Sequence, residues 1–126
     1  MQGSPLTKSR FKLAIDCPTK LHYAKRNSGY RNRNEDNDFL AALAGGGHQV
    51  GALAKFRYHD DPVGAGITVE TLNKEEALSQ TQARLRQSGR VVIAEAALAH
   101  HAYFVRVDIL IRDEAARRVD LIEVKS

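Results

Sequence analysis

The sequence of 126 residues predicts an α+β domain, and three observations support this prediction. Apolar residues make up 43 % of the chain and charged residues 27 %, a composition typical of a folded globular protein. Apolar residues recur at helical spacing before Gly89 and alternate with a period of two after it. The length suffices for one modest core. We therefore expect a single domain over residues 1–126, with helices first and a meander of strands afterwards.

Two short helices are predicted near the N-terminus. Apolar residues recur at helical spacing from Thr7, which is a candidate N-cap together with Ser9. Pro18 ends this helix and suits the first turn of a second one, over about residues 19–25. A polar linker is expected at residues 27–34.

A longer helix is predicted from about Asp36. Its apolar residues fall on one stripe: Phe39, Leu40, Leu43, Val50, Leu53 and Ala54. The run Gly45-Gly46-Gly47 opposes this helix, because each interior glycine costs about 1 kcal/mol relative to alanine. Either the helix breaks there or another part of the chain packs closely against its backbone.

A turn region at residues 60–66 separates this helix from the next one. Asn73 and Glu76 are spaced as an N-cap and a capping-box partner, for a helix that ends near Gly89. The apolar residues Ala77, Leu78 and Leu85 of this helix are expected to face the core.

Three strands are predicted after Gly89, at residues 91–98, 103–112 and 118–125. A turn at residues 113–116 joins the second strand to the third. The predicted sheet is therefore a three-stranded, mainly antiparallel meander.

The positive charge of the chain is concentrated near the N-terminus. The net charge is +4, and the excess of basic residues lies within residues 1–38, which we call the basic arm. Such an arm is suited to contact nucleic-acid phosphates, although it is equally consistent with a solvated helix that keeps the protein soluble. Its candidate nucleic-acid-binding residues are Lys8, Arg10, Lys12, Lys20, Lys25, Arg26, Arg31 and Arg33.

Three acidic residues lie within predicted strands whose other residues are mostly apolar. Asp108 lies inside a run of aliphatic residues, and Glu123 alternates with Lys125 on the next predicted strand. A hairpin brings Asp108 level with residues 121–123, and Glu95 is a third acid in the middle of a strand. Carboxylates held close together repel one another, and Mg²⁺ or Mn²⁺ is the usual compensation. The predicted chemistry is metal-dependent phosphodiester hydrolysis, with Lys125 near the reacting group.

A structural alternative remains open for the same residues. Asp108 would then pair with Arg106 or Arg118, and Glu123 with Lys125, on a wet face of the sheet. The lone Cys17 lacks an identifiable base and therefore gives no support to covalent catalysis.

Two segments of the sequence resemble the PD-(D/E)xK nuclease superfamily, especially its RecB-like branch. Asp108 in VRVDIL and the triplet Glu123-Val124-Lys125 in LIEVKS resemble the family's Asp and (D/E)xK elements. Residues 9–24, SRFKLAIDCPTKLHYA, resemble the opening segment of RecB-like and CRISPR-associated nucleases. The resemblance implies a restriction-endonuclease-like core in an N-terminal module of a longer bacterial protein. It also implies roles for individual residues: Asp108, Glu123 and the Val124 carbonyl as metal ligands, Lys125 as the catalytic lysine, and Glu95 as an additional ligand.

The sequence departs from the family pattern at three places. Gly51 occupies the position of a histidine ligand, and His48 lies nearly one helical turn away from it. The family's following helix and strand would come after Ser126, so we expect a truncated domain, or a sheet completed by a second chain. Cys17 matches the first iron-sulfur cysteine of some relatives, and a cluster would require cysteines beyond Ser126. As a structural residue, Cys17 is expected to be buried at a helix end.

The sequence thus predicts a cytoplasmic nuclease that acts on DNA, with RNA left open as a substrate. It carries no segment of the roughly 20 apolar residues that a membrane span requires. The alternative function is a catalytically inactive module of the same fold that binds nucleic acid or takes part in protein assembly.

Overall fold

The structure of the chain is a computed structural model that describes residues 5–24, 38–59 and 66–125. It is a mixed helix and strand fold, which confirms the predicted α+β class. The helices are α1 (Lys8–Asp16), α2 (Pro18–Tyr23), α3 (Asp38–His59) and α4 (Lys74–Leu85), and the strands are β1 (Leu6–Thr7), β2 (Ile67–Thr68), β3 (Arg90–His100), β4 (Tyr103–Asp113) and β5 (Arg118–Ile122). The predicted linker at 27–34 and most of the turn region at 60–66 lie outside the described residues.

Within the described ranges, the sheet has five strands and mixed pairing. Strands β3, β4 and β5 form the antiparallel meander that the alternating pattern predicts. In addition, β1 pairs with β4 in parallel, and β2 pairs with β3 in parallel. The prediction of three strands is corrected to five, because strands of two residues are too short to produce a detectable alternation.

The larger part of the core lies between α4 and the sheet. Ala77 of α4 is buried, and Leu78 and Leu85 pack against the same cluster, as the sequence predicts. Thr81 is also completely buried; its Oγ1 donates to the Ala77 carbonyl at 2.8 Å and accepts from the Ala97 N–H at 2.9 Å. Helix α4 is therefore joined to β3 by apolar packing and by one buried hydroxyl.

A smaller cluster lies where α3 meets the sheet. Val92, Ile109 and Ile111 are buried there, and Ala54 and Tyr58 of α3 pack against them. The predicted apolar stripe of α3 is mostly wrong, since the side chains of four of its members are exposed: Phe39, Leu40, Leu43 and Leu53. Their helical spacing is real, but the described sheet contacts only the C-terminal part of the helix.

The predicted helix ends are largely confirmed. Thr7 caps α1 by accepting the Arg10 N–H, and Pro18 occupies the first turn of α2. Asn73 Oδ1 accepts the N–H groups of Glu75 and Glu76 at 3.0 and 3.1 Å, which confirms the N-cap. The predicted capping-box role of Glu76 is corrected, because the Asn73 N–H donates to Thr71 Oγ1 and the Glu76 carboxylate accepts from the Thr71 hydroxyl instead. Helix α4 nevertheless ends at Leu85 rather than near Gly89.

The glycine run does not interrupt α3. The helix has 22 residues in all and continues through the glycine run. A Cβ atom built at Gly45 or Gly46 meets nothing within 4 Å. The predicted break is therefore wrong, and so is a close contact at Gly45 or Gly46, whereas a close contact at Gly47 stays a prediction. Helix propensity is a weak preference, which the surrounding turns of the helix override here. No described helix, α3 included, combines the length and apolar character needed to cross a bilayer.

Candidate active site

The strand register brings the three acids of the predicted site to one level of the sheet. The pairs Ala94↔Ile109 and Ala96↔Val107 flank Glu95 and Asp108 on both sides. The pair Ile109↔Ile122 is the last between β4 and β5, and the next residues along are Asp108 and Glu123. Neighbouring strands therefore carry the acids at matching positions, one step beyond the last β4–β5 pair.

Two of these acids line the same cavity between α3 and the sheet. Glu95 and Asp108 contribute to its wall, together with the segment that follows β5. The cavity has a volume of about 280 Å³. Its lining residues are Gly47, His48, Gly51, Ala52, Lys55, Glu95, Asp108, Ile109 and Val124.

Glu95 occupies an unusual backbone conformation in the middle of β3. Its φ angle is +57°, in the left-handed region that costs a non-glycine residue about 1–2 kcal/mol. Its carboxylate forms an ion pair with Lys55, with Nζ and Oε1 3.3 Å apart. Both side chains are about one-third exposed, at 36 % for Glu95 and 32 % for Lys55. Backbone strain of this kind is concentrated at functional sites, so it supports a role for Glu95 beyond strand formation.

Asp108 is half-buried and holds the chain that follows β5. Its Oδ2 accepts the N–H of Val124 at 2.7 Å, a charge-assisted hydrogen bond. This bond keeps Val124 beside the cavity and packed against the smaller core cluster. One oxygen of Asp108 is therefore oriented by the backbone.

Strand β5 ends earlier than the sequence predicts. It stops at Ile122 rather than at residue 125, so Glu123 and Lys125 lie beyond the strand, and both are exposed. The side chain of Asp108 bonds the Val124 N–H at the place where the ladder would continue. The prediction that Glu123 and Lys125 alternate on one strand is corrected accordingly.

Glu123 is bonded to Lys8, the first residue of α1. The hydrogen bond from Lys8, followed by the positive charge of that ammonium, lowers the pKa of Glu123. Neither Glu123 nor Lys125 is among the residues that line the cavity of Glu95 and Asp108. Their predicted roles as ligand and catalytic lysine stay predictions.

The structural alternative paired Asp108 with Arg106 or Arg118, and Glu123 with Lys125. The structure shows other partners for the two acids and the two arginines. Arg106 donates to the carbonyls of Val69 and Thr71, at 2.5 and 2.8 Å. Arg118 pairs with Asp120 at 3.0 Å. Asp108 and Glu123 instead have the Val124 N–H and Lys8 as partners.

Lys55 is the functional candidate that sequence reasoning missed. Its ammonium lies in the cavity, whereas the sequence placed Lys125 there. The signal was present, because His48, Ala52 and Lys55 are spaced by four and three residues, which puts them on one face of a helix. His48, expected to lie one turn from the family's ligand position, does line the cavity.

The cavity offers two carboxylates as possible ligands for a metal ion. Glu95 and Asp108 supply hard oxygen atoms, which suit Mg²⁺ or Mn²⁺. Within residues 5–24, 38–59 and 66–125, however, no group of three His, Cys, Asp or Glu side chains is arranged to hold a metal. Glu95 and Asp108 are therefore the two described carboxylates that line this cavity, and a metal ion held between them stays a prediction.

The only cysteine of the chain, Cys17, lies between α1 and α2. It is half-buried rather than buried, because the chain turns there at the surface between the two helices. Hydrogen bonds from the backbone N–H groups of Lys20 and Thr19 lower the pKa of its thiol. Because one thiolate cannot hold an iron-sulfur cluster, no cluster chemistry is assigned to these residues.

The structure describes half of the predicted arm residues. Lys12 and Lys20 are exposed, Lys8 is bonded to Glu123, and Arg10 donates to the Pro5 carbonyl at 3.1 Å. The remaining four, Lys25, Arg26, Arg31 and Arg33, lie outside the described residues.

Comparisons of the chain with protein families, with curated proteins and with solved structures find no match.

Proposed function

We propose that this chain is a metal-dependent nuclease domain, with a restriction-endonuclease-like core, that hydrolyses DNA phosphodiester bonds. One observation carries the proposal. Glu95 and Asp108, from adjacent strands, line one cavity together with an ammonium group and the backbone-anchored segment at Val124. A cytoplasmic location, RNA as a further substrate and a second chain that completes the sheet stay predictions from the sequence.

Mg²⁺ or Mn²⁺ would be held by Glu95 and Asp108. Glu123 and the Val124 carbonyl stay predicted ligands, and in the structure the Glu123 carboxylate is bonded to Lys8. When bound, such an ion polarises a phosphodiester oxygen and lowers the pKa of a coordinated water.

The residues around the cavity provide the remaining functions. The Val124 N–H fixes the orientation of Asp108, so that its carboxylate is held in place before substrate arrives. Lys55 brings a positive charge to the place where negative charge develops during hydrolysis. Lys12 and Lys20, exposed on α1 and α2, would contact the nucleic-acid backbone.

The proposal is tested by cleavage of plasmid and single-stranded DNA in Mg²⁺ or Mn²⁺. Asp108→Asn removes a charge but keeps an oxygen that can accept the Val124 N–H, and Glu95→Gln removes the second carboxylate. We expect each variant to lose activity by about 100-fold or more, as loss of a positioned charge usually causes. Asp120→Asn is the matched control, because Asp120 pairs with Arg118 on β5, and it should retain activity. Full activity in both Asp108→Asn and Glu95→Gln would contradict the proposal.

A second function is favoured by the partners of the three acids. Glu95, Asp108 and Glu123 each have a partner within the chain, as expected for a module that keeps the fold without catalysis. Such a module would bind nucleic acid or take part in protein assembly. Salt-sensitive DNA binding without any Mn²⁺ binding in calorimetry would favour it over the nuclease. Mn²⁺ binding that Asp108→Asn abolishes would favour the nuclease.

A further inference from the structure

A second and larger cavity adjoins the candidate active site. Its volume is about 550 Å³, and it shares both Lys55 and Glu95 with the first cavity. The Lys55–Glu95 ion pair therefore stands at the junction of the two. We call the pair of cavities the cleft; it extends from Asp108 to Lys74 at the start of α4.

Basic side chains outnumber acidic ones in the second cavity. Lys55, Lys74 and Arg106 line it, against Glu70 and Glu95. The Lys74 ammonium lies 5.6 Å from the centre of the Phe104 ring, and two backbone carbonyls orient the Arg106 guanidinium. The Lys55–Glu95 pair is neutral as a unit, and Lys74 and Arg106 outnumber Glu70, so the balance of charge favours an anionic ligand.

We propose that Lys55 binds a phosphate of a polynucleotide, and that the second cavity holds the adjoining part of a single strand. The proposal rests on the proposed function, because it assigns the substrate of the same cleft. An ammonium group has three N–H donors, so the ion pair with Glu95 leaves donors for a phosphate oxygen. Lys74 lines the same cavity and is assigned a further phosphate of the strand.

The shape of the cleft favours a single strand over a duplex. The side chains of Lys55 and Glu95 are only about one-third exposed, so a phosphate must enter the cleft to reach the ammonium. A flexible single strand can bend into a recess and follow a basic groove. A duplex presents its phosphates on a stiff outer surface. The strained backbone of Glu95 holds the partner of Lys55 at the junction, which is a second observation that points to function there.

The test measures binding of a fluorescently labelled oligothymidylate by anisotropy, in EDTA and over a series of salt concentrations. Each phosphate contact with a single strand contributes about 0.7 to the slope of log K against log salt concentration. For Lys55→Gln we expect binding about tenfold weaker, as for loss of a charge-assisted hydrogen bond, and a slope reduced by about 0.7. Lys74→Gln should reduce the slope similarly. Arg86→Gln is the control, because Arg86 is exposed at the opposite end of α4, and it should bind like the original protein.

Two further measurements separate a binding role from a structural one. Lys55→Arg keeps a cation and should restore most of the affinity, and thermal unfolding by circular dichroism checks that each variant is folded. An unchanged affinity and slope in Lys55→Gln would overturn the proposal, as would a failure of the original protein to bind the oligothymidylate. A duplex of the same length that binds more tightly, with the same dependence on Lys55, would overturn the assignment of a single strand.

The outcomes distinguish this proposal from the nuclease. Lys55-dependent binding by a protein that never cleaves DNA in Mn²⁺ contradicts the nuclease and supports the binding role of Lys55. Cleavage by a protein whose binding does not depend on Lys55 contradicts the role of Lys55 alone.

Discussion

The three acids at one level of the sheet are held by two kinds of partner, a lysine ammonium for Glu95 and for Glu123 and a backbone N–H for Asp108. Glu95 pairs with the Lys55 ammonium across the cleft, Asp108 accepts a backbone N–H, and Glu123 is bonded to Lys8. Ion pairs between partly exposed side chains contribute about 1 kcal/mol or less. The Lys55–Glu95 pair would therefore cost little to displace if a phosphate or a cation binds in the cleft.

The contact between Lys8 and Glu123 leads to a prediction about pH. Because Lys8 lowers the pKa of Glu123 in the folded protein, the contact stabilises the fold at neutral pH, and this contribution disappears as the pH falls through the lowered pKa. In Lys8→Gln we expect the pKa of Glu123 to rise towards the ordinary value for glutamate. Carboxyl ¹³C chemical shifts in an NMR titration measure this pKa. Lys20→Gln is the control and should leave it unchanged; an unchanged pKa in Lys8→Gln would show that the contact is absent in solution.

Among the secondary-structure elements, α4 and α3 are attached to the sheet in different ways. Helix α4 buries Ala77 and Thr81 against the larger core cluster. Helix α3 contributes Ala54 and Tyr58 to the smaller cluster, while Leu53 and Phe56 remain exposed. The candidate site thus lies beside α3, which has fewer buried contacts with the sheet than α4. Elements with few buried contacts unfold locally at a lower free energy than a well-packed core.

Thr81 provides a test of the attachment of α4. Replacing it with valine keeps the shape but leaves the buried Ala97 N–H without its acceptor. We expect the free energy of unfolding to fall by about 1–3 kcal/mol, measured by urea denaturation. Thr81→Ser keeps the hydroxyl and should lose less, mainly through the missing methyl group. A valine variant as stable as the original would mean that the hydroxyl bond makes no net contribution.

The glycines of α3 provide a test of the helix itself. Gly45 and Gly46 have helical neighbours and open space at the Cβ position, so Gly45→Ala and Gly46→Ala should each stabilise the protein by about 1 kcal/mol. Gly89 also has open space, but its φ is +82°, so Gly89→Ala should destabilise the protein. Midpoints of thermal unfolding measure both effects. A loss of stability in the two helix variants would indicate that the glycine run is not helical in solution.

At the scale of the whole molecule, the cleft is formed by residues from four separate helices and strands. Lys55 comes from α3, Glu95 from β3 and Asp108 from β4, while Lys74 arrives at the start of α4. These residues are far apart in the sequence. Lys55 lies close to Glu95 and Asp108 because α3 packs over the sheet. The basic residues of α1 lie on a different part of the chain, and Lys8 is bonded there to Glu123.

Local features of the fold were predictable from the sequence alone. The caps at Thr7 and Asn73, the helix start at Pro18 and the antiparallel meander follow from short-range rules of hydrogen bonding and from side-chain periodicity. The same periodicity, with the turn after β4, placed Asp108 level with residues 121–123, and the strand register supports this placement.

Contacts between distant residues were decided by tertiary structure. Periodicity identifies the apolar side of a helix but not whether another element covers it, and for this reason the exposure of Leu43 and Leu53 was missed. Strand β5 ends at Ile122, and beyond it the Val124 N–H bonds the side chain of Asp108, 16 residues away in the sequence, which no local pattern reveals. The position of Lys55 in the cleft likewise follows from the packing of α3, because its spacing with His48 and Ala52 shows only that the three share one face of the helix.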